Sequence, residues 1–113
     1  MDVIQNLIDT LAEVCGLVYQ QGHAPAEYPD RFFTFYVHNA DNHKHYDNKV
    51  MGYNWAVDVN YYSTDPADVY SSLERARLKL IAAGWTTDGK GGQVGSDVNT
   101  HTGRGFTARF FEK

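Results

Sequence analysis

The sequence predicts an α+β domain: an antiparallel or mixed β-sheet with two helices packed on one face, in the order α-β-β-α-β-β. Three observations carry that prediction. The chain opens with apolar residues at steps of three and four. A long central segment alternates with a period of two. A second helix with well-marked ends then separates that segment from a C-terminal stretch rich in glycine and aromatics. Strands and helices do not alternate as βαβ units, so a doubly wound parallel sheet is not expected.

Each element has its own signal. In residues 2 to 21, Ile4, Leu7, Ile8, Leu11, Val14, Cys15 and Val18 share one helical face, with Asp2 as N-cap and Gly22 as stop. HAPAEYPDR, with Pro25 and Pro29, reads as a loop. RFFTFYVH reads as a strand with Phe33, Phe35 and Val37 on one face and Thr34, Tyr36 and His38 on the other. NADNHKHYDNK is a polar break. In VMGYNWAVDVNYYS, Tyr53, Trp55, Val57, Val59 and Tyr61 alternate with Asn54, Ala56, Asp58, Asn60 and Tyr62, which predicts a long strand and an antiparallel hairpin with its predecessor. Asp65 can cap the second helix, Pro66 suits its first position, Asp68 adds negative charge to its first turn, and Gly84 closes it. WTTDG reads as a short strand, the glycine stretch as a connection, and GRGFTARFFEK as the last strand of a terminal hairpin.

Length and composition bound what such a domain can do. At 113 residues the chain predicts one domain, 1–113, with a modest core. The formal net charge of -4 and the absence of a basic run argue against nucleic acid as a specific partner. A single cysteine, Cys15, excludes an intramolecular disulfide and a multi-cysteine zinc site. MDVIQNLIDT has neither a basic region nor a long apolar stretch, so neither a signal peptide nor a membrane partner is expected. Aromatics reach 14%, a load that suits strands and protein interfaces. Tyr28, Phe32, Tyr36, Tyr62, Phe106 and Phe110 or Phe111 are the rings that two helices cannot obviously cover; a thick core and an interface account for them equally well.

Four patterns could carry chemistry. Gly84 to Lys90 has phosphate-loop spacing, but Gly91 stands where Ser or Thr would hold magnesium, and the glycines follow a helix instead of opening one. His38, Asp41, His43, His45 and Asp47 could bind zinc or nickel, although such a polar tip is more simply a solvated turn. Ser96, Asp97 and His101 are the residue types of acyl transfer, but crowd one short loop, whereas a triad is positioned by separate elements. Cys15 lies on an apolar helix face, where thiols are usually inert. The expectation is a protein that is not an enzyme, with no catalytic residue, cofactor or metal.

The stretch from YDNK through VNYYSTDP to DGKGGQVGSDVNTHTGRGF resembles small head–tail connection proteins of long-tailed phages and prophages of Gram-positive bacteria, of the tail-terminator or tail-completion type. The likeness runs from about Phe33 to Phe111 and rests on the order and spacing of non-catalytic motifs. It implies a subunit that closes into a homo-oligomeric ring, a hexamer, on the head-proximal end of the tail tube. Such a ring stops tube polymerisation and receives the filled head. Implied partners are other copies, the major tail tube protein and the connector proteins; the implied location is the virion's head–tail junction, and the host cytoplasm during assembly. A head-side stopper or adaptor is an alternative of the same group, and a small metal- or ligand-binding domain using the His-rich tip is one of another class. Polar, glycine- or asparagine-rich segments are the natural places for contacts to form on assembly. The tip His38 to Asn48 and the loop Gly89 to Arg104 are therefore the expected interface, with His43, His45, Tyr46, Lys90 and Arg104 as candidate residues, joined by Tyr62 from the aromatic set.

Overall fold

The computed structural model describes residues 2–42, 45–46, 49–50 and 52–112; between residues 39 and 50 it describes backbone only. The chain is α+β, with a mixed six-stranded sheet and two helices among the described residues. The first helix, α1 (Val3–Ala12), starts as expected: the Asp2 carboxylate accepts from the amides of Ile4 and Gln5. It ends at Ala12, nine residues before the expected end at residue 21, with C-cap Glu13. Val18 to Gln20 instead forms strand β1, and Gly22, at φ 87°, sits in the turn after that strand. The cause lies across the sheet. Phe33 donates to Leu17 O at 2.8 Å and Gln21 donates to Phe35 O at 2.8 Å, so pairing with a neighbouring strand outweighs continuation of the helix. Val18 and Tyr19 are β-formers that tolerate either outcome.

β2 (Arg31–Asn42) lies parallel to β1 and antiparallel to β5 (Tyr53–Ser63). β2 therefore runs through much of what the sequence marked as a polar break, pairing as far as Asn42 with Tyr53. A bulge between Val37 and Asn39 shifts the register. Between these strands, β3 (His45–Tyr46) and β4 (Lys49–Val50) make a small antiparallel ladder. β5 pairs along its whole length with β8 (Thr102–Glu112). The outer side of β8 carries β6 (Thr86–Thr87) and β7 (Gly92–Val94). The order β1-β2-β5-β8-β6 is thus mixed, and richer in strands than α-β-β-α-β-β.

α2 (Pro66–Ala82) has the ends that its sequence announces. Asp65 accepts from the amide of Ala67 with Pro66 in the first turn. At the other end Gly84 takes φ 102°, donates to Ile81 O, and passes the chain to Trp85, whose amide donates to Leu80 O. This pair of bonds is a Schellman closure, which requires a residue in the left-handed region, here glycine. Val3, Leu7 and Leu11 of α1, Val69, Leu73, Ala76 and Leu80 of α2, and Phe33, Phe35, Val57, Val59, Tyr61, Phe106 and Ala108 of one sheet face form a single buried cluster. Both helices therefore cover the same face. Cys15 is buried at the edge of that cluster, beyond the helix that was expected to hold it.

One polar group inside the core sets a pH dependence. The Tyr61 hydroxyl donates to Asp68 Oδ2 at 2.7 Å, and Ser72 donates to Asp68 Oδ1 at 2.6 Å. Arg31 stands 3.5 Å from the same carboxylate. Burial, aided by the Asp68 carboxylate, pushes the Tyr61 phenol up to about 12. At Asp68 burial opposes ionisation, yet hydrogen bonds from Ser72, Tyr61 and Ser63, with the charge of Arg31, hold the carboxyl below its ordinary value of 3.8. A lowered carboxyl contributes stability that is present above its unfolded value and lost as pH falls through the folded one. A raised phenol contributes stability that is present below 10.0 and lost as pH climbs towards 12. Urea midpoints should therefore fall below roughly pH 4 and above roughly pH 10. Tyr61→Phe should flatten part of the alkaline fall; an unchanged alkaline limb would disprove this role for Tyr61.

Candidate functional site

With both helices on one face, the opposite face of the sheet carries no helix among the described residues. Its side chains form rows across β2, β5 and β8: Phe32 with Tyr62 and Gly103, Thr34 with Asn60 and Gly105, Tyr36 with Asp58 and Thr107. The two glycines explain how this face is shaped. A Cβ on Gly103 would meet the Tyr62 ring at 2.7 Å, and one on Gly105 would meet the Asn60 side chain and, at 2.7 Å, Val59 O. Side chains of β5 thus lie across β8, which only glycine permits. Both glycines lie in GRGFTARFFEK, the stretch expected as the last strand, and β8 bears that out; their spacing of two within it places both on this face.

In the third row Tyr36 is exposed and Asp58 and Thr107 are half-buried. His38 Nε2 lies 2.7 Å from Asp58 Oδ2, and Thr107 donates to Asp58 Oδ1 at 2.9 Å. Both carboxylate oxygens are occupied, so Asp58 is a strut between strands. Arg109 reaches Asp88 at 3.2 Å at the sheet's edge.

The aromatic row is closed into a cleft by two loops. The connection from β1 to β2, residues 21 to 30, crosses this face because parallel neighbours cannot be joined by a tight turn. It carries Tyr28 over Phe32, with ring centres 5.3 Å apart, and Phe32 stacks on Tyr62 at 5.3 Å. From the other side comes the segment 95 to 101. The Tyr28 hydroxyl donates to Asp97 Oδ2 at 3.0 Å, and His101 Nε2 donates to Pro29 O at 2.8 Å. These two bonds latch the loops together around about 310 Å³, lined by Gln21, Tyr28, Phe32, Thr34, Tyr62 and Asp97 among others. The carboxylate marks the electrostatics. Its hydrogen bond and its charge raise the Tyr28 phenol. Burial raises the Tyr62 phenol, a Thr34 hydrogen bond opposes it, and the charge of Asp97 adds to the rise.

The residues expected at an interface are separated. His43 lies outside the described residues; His45 and Tyr46 contribute the backbone of β3, and their side chains are likewise outside the description. Tyr62 stands half-buried in the aromatic cleft. Arg104 points to the opposite, helix-covered side, beside Tyr61 in register. There it lies 4.5 Å from the Tyr70 ring centre and donates to Gly91 O at 3.0 Å. It is therefore held within the chain, on a strand and not in a loop. Lys90 is exposed and lines the same small hollow as Tyr70 and Arg104, and its charge contributes to lowering the Glu74 carboxyl, after the Arg77 hydrogen bond. The segment Gly89 to Arg104 is also not one long loop, since β7 pairs with residues 103 to 105.

The aromatic set expected at the surface divides as well. Phe32 and Phe106 are buried, Tyr28, Tyr62 and Phe110 are half-buried, and Tyr36 and Phe111 are exposed by 48% and 41%. The other patterns resolve locally. Ser96 accepts from the amide of Val98, Asp97 holds Tyr28, and His101 bonds Thr100 and Pro29, so the three are not linked to one another. The stretch Gly84 to Gly91 runs from a helix into strands and opens no helix. Among the described residues no three His, Cys, Asp or Glu side chains converge as a metal site. No described helix is long and apolar enough to cross a membrane. No protein-family model matches the chain, and no significant match is found among curated proteins.

Proposed function

We propose that this chain is a structural, non-enzymatic subunit of the head–tail junction of a long-tailed phage or prophage, of the tail-terminator type. Six copies close into a ring on the head-proximal end of the tail tube, end its polymerisation and receive the head. The sequence resemblance suggests the family; the observation in the fold that best supports a ring is the outer edge of β2. β1 covers that edge only from Phe33 to Phe35, and beyond it no described strand pairs with the outer side of a strand that continues to Asn42. An open edge is a template for another chain, and a closed heterologous ring satisfies such edges on every copy. The long extent of the chain, 53 × 26 × 22 Å, suits a subunit whose strands reach beyond its own core. Exposed rings, Tyr36, Tyr53, Tyr70 and Phe111, supply further contact area.

The test is the molar mass in solution over a wide concentration range, by light scattering after size exclusion, with and without the tail tube protein, together with electron micrographs. A six-fold ring, formed alone or on the tube end, is the expected result. A protein that stays monomeric and fails to bind the tube would refute the reading.

A further inference from the structure

We propose that the latched cleft on the helix-free sheet face is a receptor for a cationic side chain, arginine or lysine, presented by a partner protein. The inference stands on the cleft itself and holds whether or not the chain forms a ring.

Three observations lead to it. First, the cleft is preformed. Its two walls come from distant parts of the chain and are joined by Tyr28 to Asp97 and by His101 to Pro29, at 3.0 and 2.8 Å. A binder that is already ordered spends less entropy on its ligand. Its volume of about 310 Å³ lies at the small end of ligand pockets, roughly 300–1,000 Å³, and suits a side chain better than a cofactor.

Second, its walls are aromatic. Tyr28 and Tyr62 each pack against Phe32, with ring centres 5.3 Å apart in both pairs. Ring faces attract a guanidinium or ammonium group, by about 0.5–2 kcal/mol depending on desolvation.

Third, the one formally charged side chain in the lining is Asp97, with no Lys or Arg to neutralise it. The Tyr28 hydroxyl bonds only Oδ2. Oδ1 remains to accept from a cation, and the upward pull of Asp97 on both tyrosine phenols reflects a negative field across the cleft. An anionic ligand would meet that field unfavourably, and a neutral one would leave it unused. Arginine fits most fully, because its planar group can stack on a ring while donating to a carboxylate.

The experiment is an amide chemical-shift titration of the whole chain with n-butylguanidinium, and in parallel with N-acetylarginine amide, spermidine and neutral 1-butanol. The expected result is saturable binding of both guanidinium probes in the millimolar range, mapped to Gly22 and to residues 95 to 97. Asp97→Asn keeps an acceptor for Tyr28 and should weaken both by about tenfold, the loss of one charge-assisted contact. Equal binding of 1-butanol, undiminished binding by Asp97→Asn, or shifts that bypass these residues would each overturn the proposal. So would spermidine binding far more tightly than N-acetylarginine amide, which would assign the cleft to a free polyamine.

Discussion

Trp85→Ala should lower the unfolding free energy by about 3–5 kcal/mol, the largest loss expected from any one side chain here. Trp85 is 2% exposed, and its own amide makes one of the two bonds of the Schellman closure of α2. Its ring packs on Phe110 with centres 5.1 Å apart, and its Nε1 donates to Asn6 Oδ1 at 2.8 Å. One residue thus ties the end of α2 to α1 and to the last strand. Removing it leaves a cavity at the meeting of three elements and takes away a donor from a partly buried amide. Against a total stability of about 5–15 kcal/mol, much of the folded population is at risk near physiological temperature. Urea unfolding followed by circular dichroism measures the loss. Trp85→Phe should recover most of it, because it restores the ring and omits only the hydrogen bond. If the alanine variant loses less than about 1 kcal/mol, the tie between the helices lies elsewhere.

The second large effect concerns assembly. Val37→Pro should abolish ring formation while the monomer still folds. Phe33 and Phe35 turn their backbone groups outward, to Leu17 and Gln21. Two residues on, just before the bulge, Val37 faces the same way, onto the edge without a described partner. Proline there removes an outward N–H and leaves the ladder with β5 intact, which is how natural sheets blunt an edge. Val37→Thr keeps the N–H and the branched shape, and should assemble. Light scattering on both variants, with far-ultraviolet circular dichroism as the control for folding, decides the matter. Rings formed by the proline variant would mean that the subunits meet through another surface.

The local code of this chain was legible where the signal is short-range. Asp2 and Asp65 cap because a carboxylate beside free helix amides needs no further context. The alternation through β5 named the residues of each face correctly, since the period of a strand is a property of its backbone. Gly84 stopped α2 because only the left-handed region allows that closure.

The misreadings share one cause. Residues 13 to 20 looked helical because apolar spacing was the only clue, whereas their fate was set by β2, a strand far along the sequence. The reach of β2 to Asn42 was hidden because its residues are polar and their pairing lies with β5. Arg104 looked like a loop residue waiting for a neighbour because nothing in GRG announces Tyr70 above it.

Sequence alone therefore determined the α+β class, the caps, the second helix and the two-sided central strand, all governed by interactions within a few residues. Only the tertiary structure decided which face stays bare, how the crossover roofs it, and that Tyr28, Tyr62 and Asp97 meet there. Those contacts join positions 69 residues apart in the chain, as between Tyr28 and Asp97. No local pattern encodes them, because they arise from where the sheet places its edges and which face the helices have already taken.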